Sequence, residues 1–583
     1  MAQAFTDLLA LIDNGALLDL FDGELKGRIG ITVFQSCLRT LLGQRENGSW
    51  NNSIEQTSYG VLILAEARRL SYFEDIQDQL ECSIRSAVDF IVSFDEGPLD
   101  YLWIEKVTYR SSLLADAYIL AALKASTFSR DSAVTNAVGY SVRDKVSSTK
   151  MAGYIKLVRS TPMFSKLPKW EIQASFLEAS LFQPLLRARR LEIFPRKNME
   201  EDKYFDMIPF IWTLCNNHTR AFASTTFLFD MMVISFLNFQ ADEFMEGTAG
   251  PAFVEDLPRL RHLVESAFTQ QPHSNGLHNG NGCVQKSNGN GTANGEANGS
   301  ASESNGSAEA DEADVSVPLQ RFVRHVLNRA DVASASAWDR RRLERELRIY
   351  LLSHVAQVED NARLARQEQQ DTYHDATETF FDWVRTTSSD QTSGPYAFAL
   401  VCCMMSSSPL CGGNRECFPT VSQKYFAQAL CRHLSTMCRM YNDYGSAERD
   451  AAEGNLSSLN FPEFASGPGC SAVDQRKREL YKLAEYERGC MDEALARLGQ
   501  EAAAAPSLAA RRAEARKLAV WRVFVDVTDL HGQIYVVRDI ASRIKAQQQQ
   551  KQEKQEKKEM APAPAAPHTN GNGAVAAAVA AHA

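Results

Sequence analysis

The chain has 583 residues, of which 44% are hydrophobic and 23% are charged, and its formal net charge is −10. This length is too great for one hydrophobic core, so we expect two folded domains together with unstructured segments. The acidic balance argues against general nucleic-acid binding, and the absence of a signal peptide or a long uncharged run predicts a cytoplasmic protein without a transmembrane segment.

The first part of the chain, residues 1–125, is predicted to be a series of amphipathic helices separated by polar or glycine-containing turns. Its apolar periodicity places these helices at 5–13, 33–42, 60–70, 72–93 and 111–126. Residues 126–150 are predicted to be a linker. Strand-like alternation is scarce throughout the sequence, which predicts an all-α fold.

A second and longer helical region is predicted over residues 151–545. Periodic apolar pieces predict helices at 172–188, 205–239, 317–328, 339–369, 396–406, 422–441, 475–498 and 509–544. The stretch 271–316 is rich in Gly, Asn, Ser and Glu, and it has too few apolar residues to offset the entropy of ordering. We expect a disordered insertion there and a disordered tail over 546–583, where a Lys/Glu/Gln run leads into Ala/Pro repeats.

The first acidic patch in the sequence follows a nearly continuous apolar run at 227–239. It reads Asp242-Glu243-Phe244-Met245-Glu246, and on an α-helix Asp242 and Glu246 share one face. A helix that is apolar on nearly all sides is normally buried, yet buried carboxylates need a partner. Bound metal ions would resolve this conflict.

The second acidic patch lies about 200 residues further on and again predicts one helical face. In the stretch 442–450, Asn442, Ser446 and Asp450 are spaced at i, i+4 and i+8. Both patches offer only oxygen ligands, which suit a hard cation such as Mg²⁺. If the two faces oppose each other, they form a clamp for a diphosphate.

Together these residues resemble the fungal labdane-related diterpene synthases of the bifunctional copalyl diphosphate/ent-kaurene synthase type. The first patch is similar to the DDxxD motif of that family, and the second is similar to its NSE motif. Two upstream stretches are similar to a QxxDGSW repeat and to the close of the class II half. These stretches are Gln44-Arg45-Glu46-Asn47-Gly48-Ser49-Trp50 and Tyr101-Leu102-Trp103-Ile104-Glu105-Lys106-Val107-Thr108-Tyr109.

The resemblance implies an all-α architecture in which a class I terpene synthase α-domain bundle at 151–545 follows a partial class II β-domain helical barrel at 1–125. It also implies that three Mg²⁺ ions draw the diphosphate from a prenyl diphosphate, leaving an allylic carbocation that cyclises to a kaurene- or pimaradiene-like diterpene. The implied catalytic and metal ligands are Asp242, Glu243, Glu246, Asn442, Ser446 and Asp450. Arg439 and Arg449 are candidates to donate hydrogen bonds to the diphosphate.

One feature of the family is missing from this sequence. The protonation-initiated class II reaction requires a DxDD motif, and none occurs here, so we expect the class I reaction alone, on copalyl diphosphate from a separate copalyl diphosphate synthase. Two alternatives stay open. In the first alternative, the chain is the C-terminal part of a bifunctional cyclase that starts from geranylgeranyl diphosphate. In the second, it is a non-catalytic helical partner of another cyclase, because helices 1–125 alone leave one face uncovered.

Overall fold

The structure is a computed structural model that describes residues 1–17, 22–94, 102–104, 107–109, 111–127, 147–195, 202, 204–269, 305–408, 415–464 and 473–538. Residues 1–538 form one compact unit. Among the described helices, none combines the length and the apolar content that a crossing of a lipid bilayer requires. The predicted tail at 546–583 and most of the predicted linker at 126–150 lie outside the described residues, as does most of the predicted insertion.

Within its described residues, the N-terminal part contains five α-helices, a 3-10 helix at Ser71–Ile76 and one short antiparallel hairpin. The helices are α1 (Ala2–Asp13), α2 (Gly23–Leu42), α3 (Ile54–Ala67), α4 (Gln77–Val92) and α5 (Ser112–Ser126). The hairpin pairs β1 (Leu102–Ile104) with β2 (Val107–Tyr109), a pairing that the sequence did not predict. The prediction of an all-α fold is otherwise confirmed.

In the rest of the described chain, every major element is a helix. The helices are α6 (Ser148–Arg159), α7 (Lys169–Ala188), α8 (Met207–His218), α9 (Thr225–Phe244), α10 (Gly250–Phe253), α11 (Leu257–Thr269), α12 (Asn305–Leu327), α13 (Ala330–Ala333), α14 (Ala337–Ala365), α15 (Phe380–Arg385), α16 (Thr387–Asp390), α17 (Gly394–Ser407), α18 (Val421–Glu453), α19 (Val473–Ala503) and α20 (Leu508–Val537). The helices α14, α16, α17 and α18 pack on one another, and α18 also packs along α19 and α20. The turn Met245–Ala249, which carries Glu246, also packs on α14, so the two acidic patches lie within one helical bundle.

The stretch 44–50 fixes the turn that follows α2. The side-chain nitrogen of Gln44 donates to the carbonyls of Gly48 at 2.9 Å and of Ser83, on α4, at 2.8 Å. The indole nitrogen of Trp50 donates back to the carbonyl of Thr40 at 2.9 Å. These side chains satisfy backbone acceptors near the helix end and join α2 to α4, so the stretch has a structural role.

A buried polar network joins the N-terminal helices to the rest of the unit. Glu178 on α7 is fully buried and accepts hydrogen bonds from Gln35 on α2 at 2.8 Å and from Asn217 on α8 at 2.7 Å. Thr225 on α9 donates to the amide oxygen of Gln35 at 2.8 Å. Burial raises the pKa of the Glu178 carboxyl, while the two amide donors oppose that change. The network aligns α2 against the first helices of the longer region.

The outer side of α4 and α5 carries apolar residues without a covering layer among the described residues. Val92, Leu113 and Leu120 are 71%, 77% and 66% exposed. Single exposed apolar side chains are ordinary, but a group of them marks a contact surface.

The structure corrects the single helix predicted over 205–239. Two helices, α8 and α9, are separated by residues 219–224, in which Arg220 and Phe222 have positive φ angles of 54° and 50°. The hydroxyl of Ser224 accepts a hydrogen bond from the amide of Phe227 and so caps α9. This cap begins a new helix within a sequence whose apolar content is continuous.

The structure also corrects the end of the predicted disordered insertion. Helix α12 begins at Asn305, so residues 305–316 are helical, although 271–316 was predicted to be disordered. The segment after Gly306 is rich in Ala, Glu and Asp. Alanine and glutamate favour a helix, and a polar composition alone therefore did not mark the end of the insertion.

A buried carboxyl group on α20 makes stability depend on pH. Asp526 is 2% exposed, and burial raises its pKa to about 6 despite the guanidinium of Arg522, whose Nε lies 2.6 Å away. Because the folded protein disfavours the charged form, this group stabilises the fold below pH 4 and loses that contribution as pH rises to 6. The loss is about 3 kcal/mol.

We therefore expect Asp526→Asn to remove a pH-dependent part of the stability. As pH rises from 4 to 6.5, the urea concentration at the unfolding midpoint should fall for the parent relative to the variant. Asn keeps the shape and an acceptor for Arg522, so the fold is retained. A constant difference across this pH range would contradict the prediction.

Candidate active site

The first acidic patch lies where α9 changes into a wider turn. Asp242 is in the last turn of α9, and Glu246 lies in a π-helical turn at Met245–Ala249 that leads into α10. Pro251 has no amide hydrogen, and in a regular helix its ring would clash with the carbonyl four residues earlier. A π-turn relieves this crowding, so the regular α-helical spacing assumed from the sequence does not hold beyond Phe244.

Asp242 lies against two side chains of α14, of which Tyr350 forms a hydrogen bond with it. The hydroxyl of Tyr350 donates to Asp242 Oδ1 at 2.6 Å, and Nε2 of His354 lies 3.2 Å from the same oxygen. The side chain of Asp242 keeps 30% of its surface exposed, whereas His354 is buried. One carboxylate oxygen is therefore oriented by the protein, and the group still reaches open space.

A second tyrosine completes the surroundings of this patch. The hydroxyl of Tyr396, on α17, donates to the amide oxygen of Asn238, one turn before Asp242. The rings of Tyr350 and Tyr396 pack with their centroids 4.9 Å apart. Burial and the charge of Asp242 raise the pKa of both tyrosines well above 10, so both are neutral hydrogen-bond donors.

The second patch lies entirely within α18, beyond the end of the helix predicted at 441. The hydroxyl of Ser446 donates to the carbonyl of Asn442 at 2.8 Å and also to the carboxylate of Asp450. Ser446 and Asp450 are buried, while Asn442 is half-buried. Burial and the nearby Asp443 carboxylate raise the pKa of Asp450 to about 6. This stripe carries negative charge in a setting that favours a nearby cation.

Asp443, which the sequence did not single out, anchors α18 beside this stripe. Its buried carboxylate accepts hydrogen bonds from the amide of Ser458 at 2.8 Å and from the hydroxyl of Ser458 at 2.6 Å. The Nε atom of Arg439 lies 2.9 Å from its other oxygen. Asp443 thus fixes both the loop after α18 and the guanidinium one turn earlier.

A continuous set of polar contacts joins the two patches, and we call it the polar bridge (Asp242, His354, Gln391, Arg439 and Asp443). Nδ1 of His354 lies 3.3 Å from the amide nitrogen of Gln391, and Arg439 donates to the amide oxygen of Gln391 at 3.2 Å. The contact of His354 with Asp242 and the ion pair of Arg439 with Asp443 complete the polar bridge at its two ends. Since Gln391 is buried, the bridge passes through the interior of the bundle.

The two arginines proposed from the sequence lie beside carboxylates of the second patch. Arg439 contacts Asp443 and Gln391, as described. The Nη2 atom of Arg449 lies 3.6 Å from Asp450, and its Nε atom lies 3.9 Å from Glu453. Both guanidinium groups are therefore close to the oxygens of α18, and their role toward a diphosphate stays a prediction.

The donor set fits a hard divalent cation that also binds substrate oxygens. Among the residues that the structure describes, no three Asp, Glu, His or Cys side chains converge closely enough to hold a metal by themselves. Glu243 and Glu246 are exposed beside Asp242, and the second patch contributes an amide, a hydroxyl and a carboxylate. Mg²⁺ keeps several waters and binds through one or two carboxylates plus phosphate oxygens, so such an open set is suitable.

Searches among known proteins show close similarity to fungal diterpene synthases. The chain is 38% identical over 548 residues to the bifunctional ent-kaurene synthase of Gibberella fujikuroi, a match that covers 94% of this chain and 55% of the relative. It is 39% identical over 543 residues to the pimaradiene synthase of Emericella nidulans, covering 92% of this chain and 54% of that protein. It is 38% identical over 570 residues to the phyllocladan-16-alpha-ol synthase of Phomopsis amygdali, covering 93% and 55%.

These matches extend over nearly all of this chain, which spans about half the length of the curated relatives. No family model matches the sequence. No solved structure matches it either. The resemblance inferred from the four motifs is nevertheless confirmed, and over its matched length the chain is a homologue of the fungal diterpene synthases.

Proposed function

We propose that this chain is a class I diterpene cyclase, a lyase that ionises copalyl diphosphate with the help of Mg²⁺ and cyclises the carbocation to a kaurene- or pimaradiene-like diterpene. The observation that carries the proposal is the polar bridge, because it joins the two oxygen-rich patches within one bundle. The names of the homologous synthases support the reaction class. Three bound ions would act as Lewis acids on the leaving diphosphate.

The residues of this chain would orient the ligands and receive the leaving group. One group of ions would be coordinated by the first patch, through Asp242, Glu243 and Glu246. The other would be coordinated by the second patch, through Asn442, Ser446 and Asp450. Tyr350 and His354 would keep the Asp242 carboxylate in place, as outer contacts do in metal sites generally. Arg439 and Arg449 would donate to diphosphate oxygens. A carbocation also needs an interior without water, and the apolar face of α9 below Asp242 would provide part of it.

An assay of products tests this proposal. Purified protein with Mg²⁺ should convert ent-copalyl diphosphate to a hydrocarbon that gas chromatography detects, and EDTA should stop the reaction. Geranylgeranyl diphosphate should give the same product only when a separate copalyl diphosphate synthase is added. Absence of product from every prenyl diphosphate would contradict the proposal.

A second candidate is that the chain acts as the C-terminal part of a bifunctional cyclase. The relative named as a bifunctional ent-kaurene synthase supports this candidate. Transcripts that encode a DxDD motif in frame upstream of Met1 would favour it over a separate class I enzyme.

A non-catalytic helical partner is the third candidate, supported by the exposed apolar residues of α4 and α5. It predicts that adding Mg²⁺ to pyrophosphate raises the melting temperature no further than pyrophosphate alone does in EDTA.

The polar bridge itself leads to a prediction about Gln391. Gln391→Leu removes the buried amide that contacts both His354 and Arg439. We expect product formation at limiting Mg²⁺ to fall by about 10-fold or more, since outer contacts of this kind commonly contribute that much. The fall should be smaller at saturating Mg²⁺.

The matched control is Gln533→Leu on α20. Gln533 is also buried, and its amide oxygen accepts a hydrogen bond from the amide of Met163 at 3.0 Å. This control should lose stability without a change in Mg²⁺ dependence. Equal Mg²⁺ dependence of the two variants would show that Gln391 has no positioning role.

A further inference from the structure

A cavity of about 470 Å³ lies between α14, α17 and α18, and it contains none of the predicted metal ligands. Its walls come from the first turns of α14, the start of α17 and the first half of α18. Four arginines face it together with one acidic and one aromatic residue. These residues, which we call the arginine cavity, are Arg341, Arg342, Arg345, Glu346, Trp338 and Arg432.

The carboxylates near the arginine cavity balance its positive charge only in part. Arg432 is paired with Asp390, its Nη1 atom lying 2.7 Å from the carboxylate. Among the described residues, Arg341, Arg342 and Arg345 have no carboxylate within ion-pair distance. Glu346 and Asp390 offset two of the four guanidinium groups, so the cavity keeps a local excess of about two positive charges in a chain whose formal net charge is −10.

Arg342 is oriented by an aromatic ring and forms no close ion pair with the described residues. Its guanidinium lies over the ring of Phe398, 5.4 Å from the ring centroid, in a half-buried position. A guanidinium that is packed on an aromatic ring loses little freedom when it binds an anion. Arg341 and Arg345, one turn apart from each other on α14, are exposed and can close on the same ligand.

We propose that the arginine cavity binds a diphosphate without the help of a metal ion. Guanidinium groups match phosphate oxygens in pairs of parallel hydrogen bonds, and three of them require a ligand with several negative charges. The cavity is large enough for a small anion, and Trp338 and Pro395 offer an apolar wall for an attached organic group. Inorganic pyrophosphate and the head group of a prenyl diphosphate share the recognised chemistry.

Calorimetric titration of the full chain with inorganic pyrophosphate in EDTA tests this proposal. EDTA removes the ions on which the proposed catalytic site depends, so the result does not rely on the proposed function. We expect one binding site whose affinity falls at least tenfold in Arg342→Gln and in the double variant Arg341→Gln with Arg345→Gln. Arg512→Gln changes an exposed arginine of α20 and should bind as the parent does.

A parallel titration with geranylgeranyl diphosphate distinguishes the two sources of the anion. If the prenyl ester binds more tightly and Trp338→Ala removes the difference, the organic group occupies the cavity together with its head group. Equal affinity of both ligands assigns recognition to the diphosphate alone. The double variant alters only exposed side chains, so its fold, checked by circular dichroism, is retained. Absence of pyrophosphate binding in EDTA, or binding that none of the arginine variants weakens, would overturn the proposal.

Discussion

Asp242→Asn should reduce the Mg²⁺-dependent conversion of copalyl diphosphate by about 1,000-fold, which corresponds to about 4 kcal/mol of transition-state stabilisation. The change replaces a charged oxygen ligand by a neutral amide, and a hard cation binds the amide more weakly. Tyr350 and His354 can still contact the new side chain, which keeps the size and shape of the old one. The loss should therefore appear in catalysis and metal binding while the fold is kept.

Two measurements separate these effects. The rate of product formation at saturating substrate gives the catalytic loss, and the shift of melting temperature on adding Mg²⁺ with pyrophosphate reports binding at the site. Adding Mg²⁺ to pyrophosphate should raise the melting temperature of the parent beyond the value with pyrophosphate alone in EDTA, and it should give the variant no such further rise. Glu448→Gln is the matched control, since Glu448 is an exposed carboxylate of α18. Rates for Asp242→Asn within threefold of the parent would exclude Asp242 as a metal ligand.

Apolar periodicity predicted most of the helices because they bury one face. It ended α18 too early, where polar side chains replace the apolar stripe and where the i, i+4 and i+8 spacing of the second patch instead predicted the helical face. The helix predicted over 422–441 in fact continues as α18 to Glu453, and Gly454 ends it with a φ of 71°. The added turns carry Asn442, Ser446 and Asp450, whose polar side chains conceal the helical pattern from a search for hydrophobic periodicity.

The acidic patches were visible in the sequence, but the residues that hold them were not. Tyr350 and His354 lie one turn apart on α14, where their spacing looks like that of any amphipathic helix. Gln391 lies in a short polar segment next to α16, and nothing in its neighbourhood indicates a contact with either patch. The polar bridge depends on how α14, α16 and α18 pack, and the pattern of residues along the chain does not show that packing.

Gly445, the single glycine of α18, should not tolerate substitution. A Cβ atom at this position would meet the backbone carbonyl of Tyr535 on α20, whose carbon would lie 2.8 Å away. A backbone atom cannot turn aside as a flexible side chain can, so Gly445→Ala must separate the two helices. We expect the variant to lose about 3 kcal/mol of stability, as overpacked cores do. Since Asn442 and Ser446 flank the position, product formation should fall as well.

Gly499→Ala on α19 provides the matched control, because no atom lies within 4 Å of the Cβ that it would add. At an exposed helical position alanine is favoured over glycine, so this variant should gain about 0.5–1 kcal/mol. Chemical unfolding of both variants measures the two changes, which have opposite sign although the substitution is the same. If Gly445→Ala also became more stable, α18 and α20 would not approach each other closely at Gly445. The placement of Asn442 and Ser446 would then need another explanation.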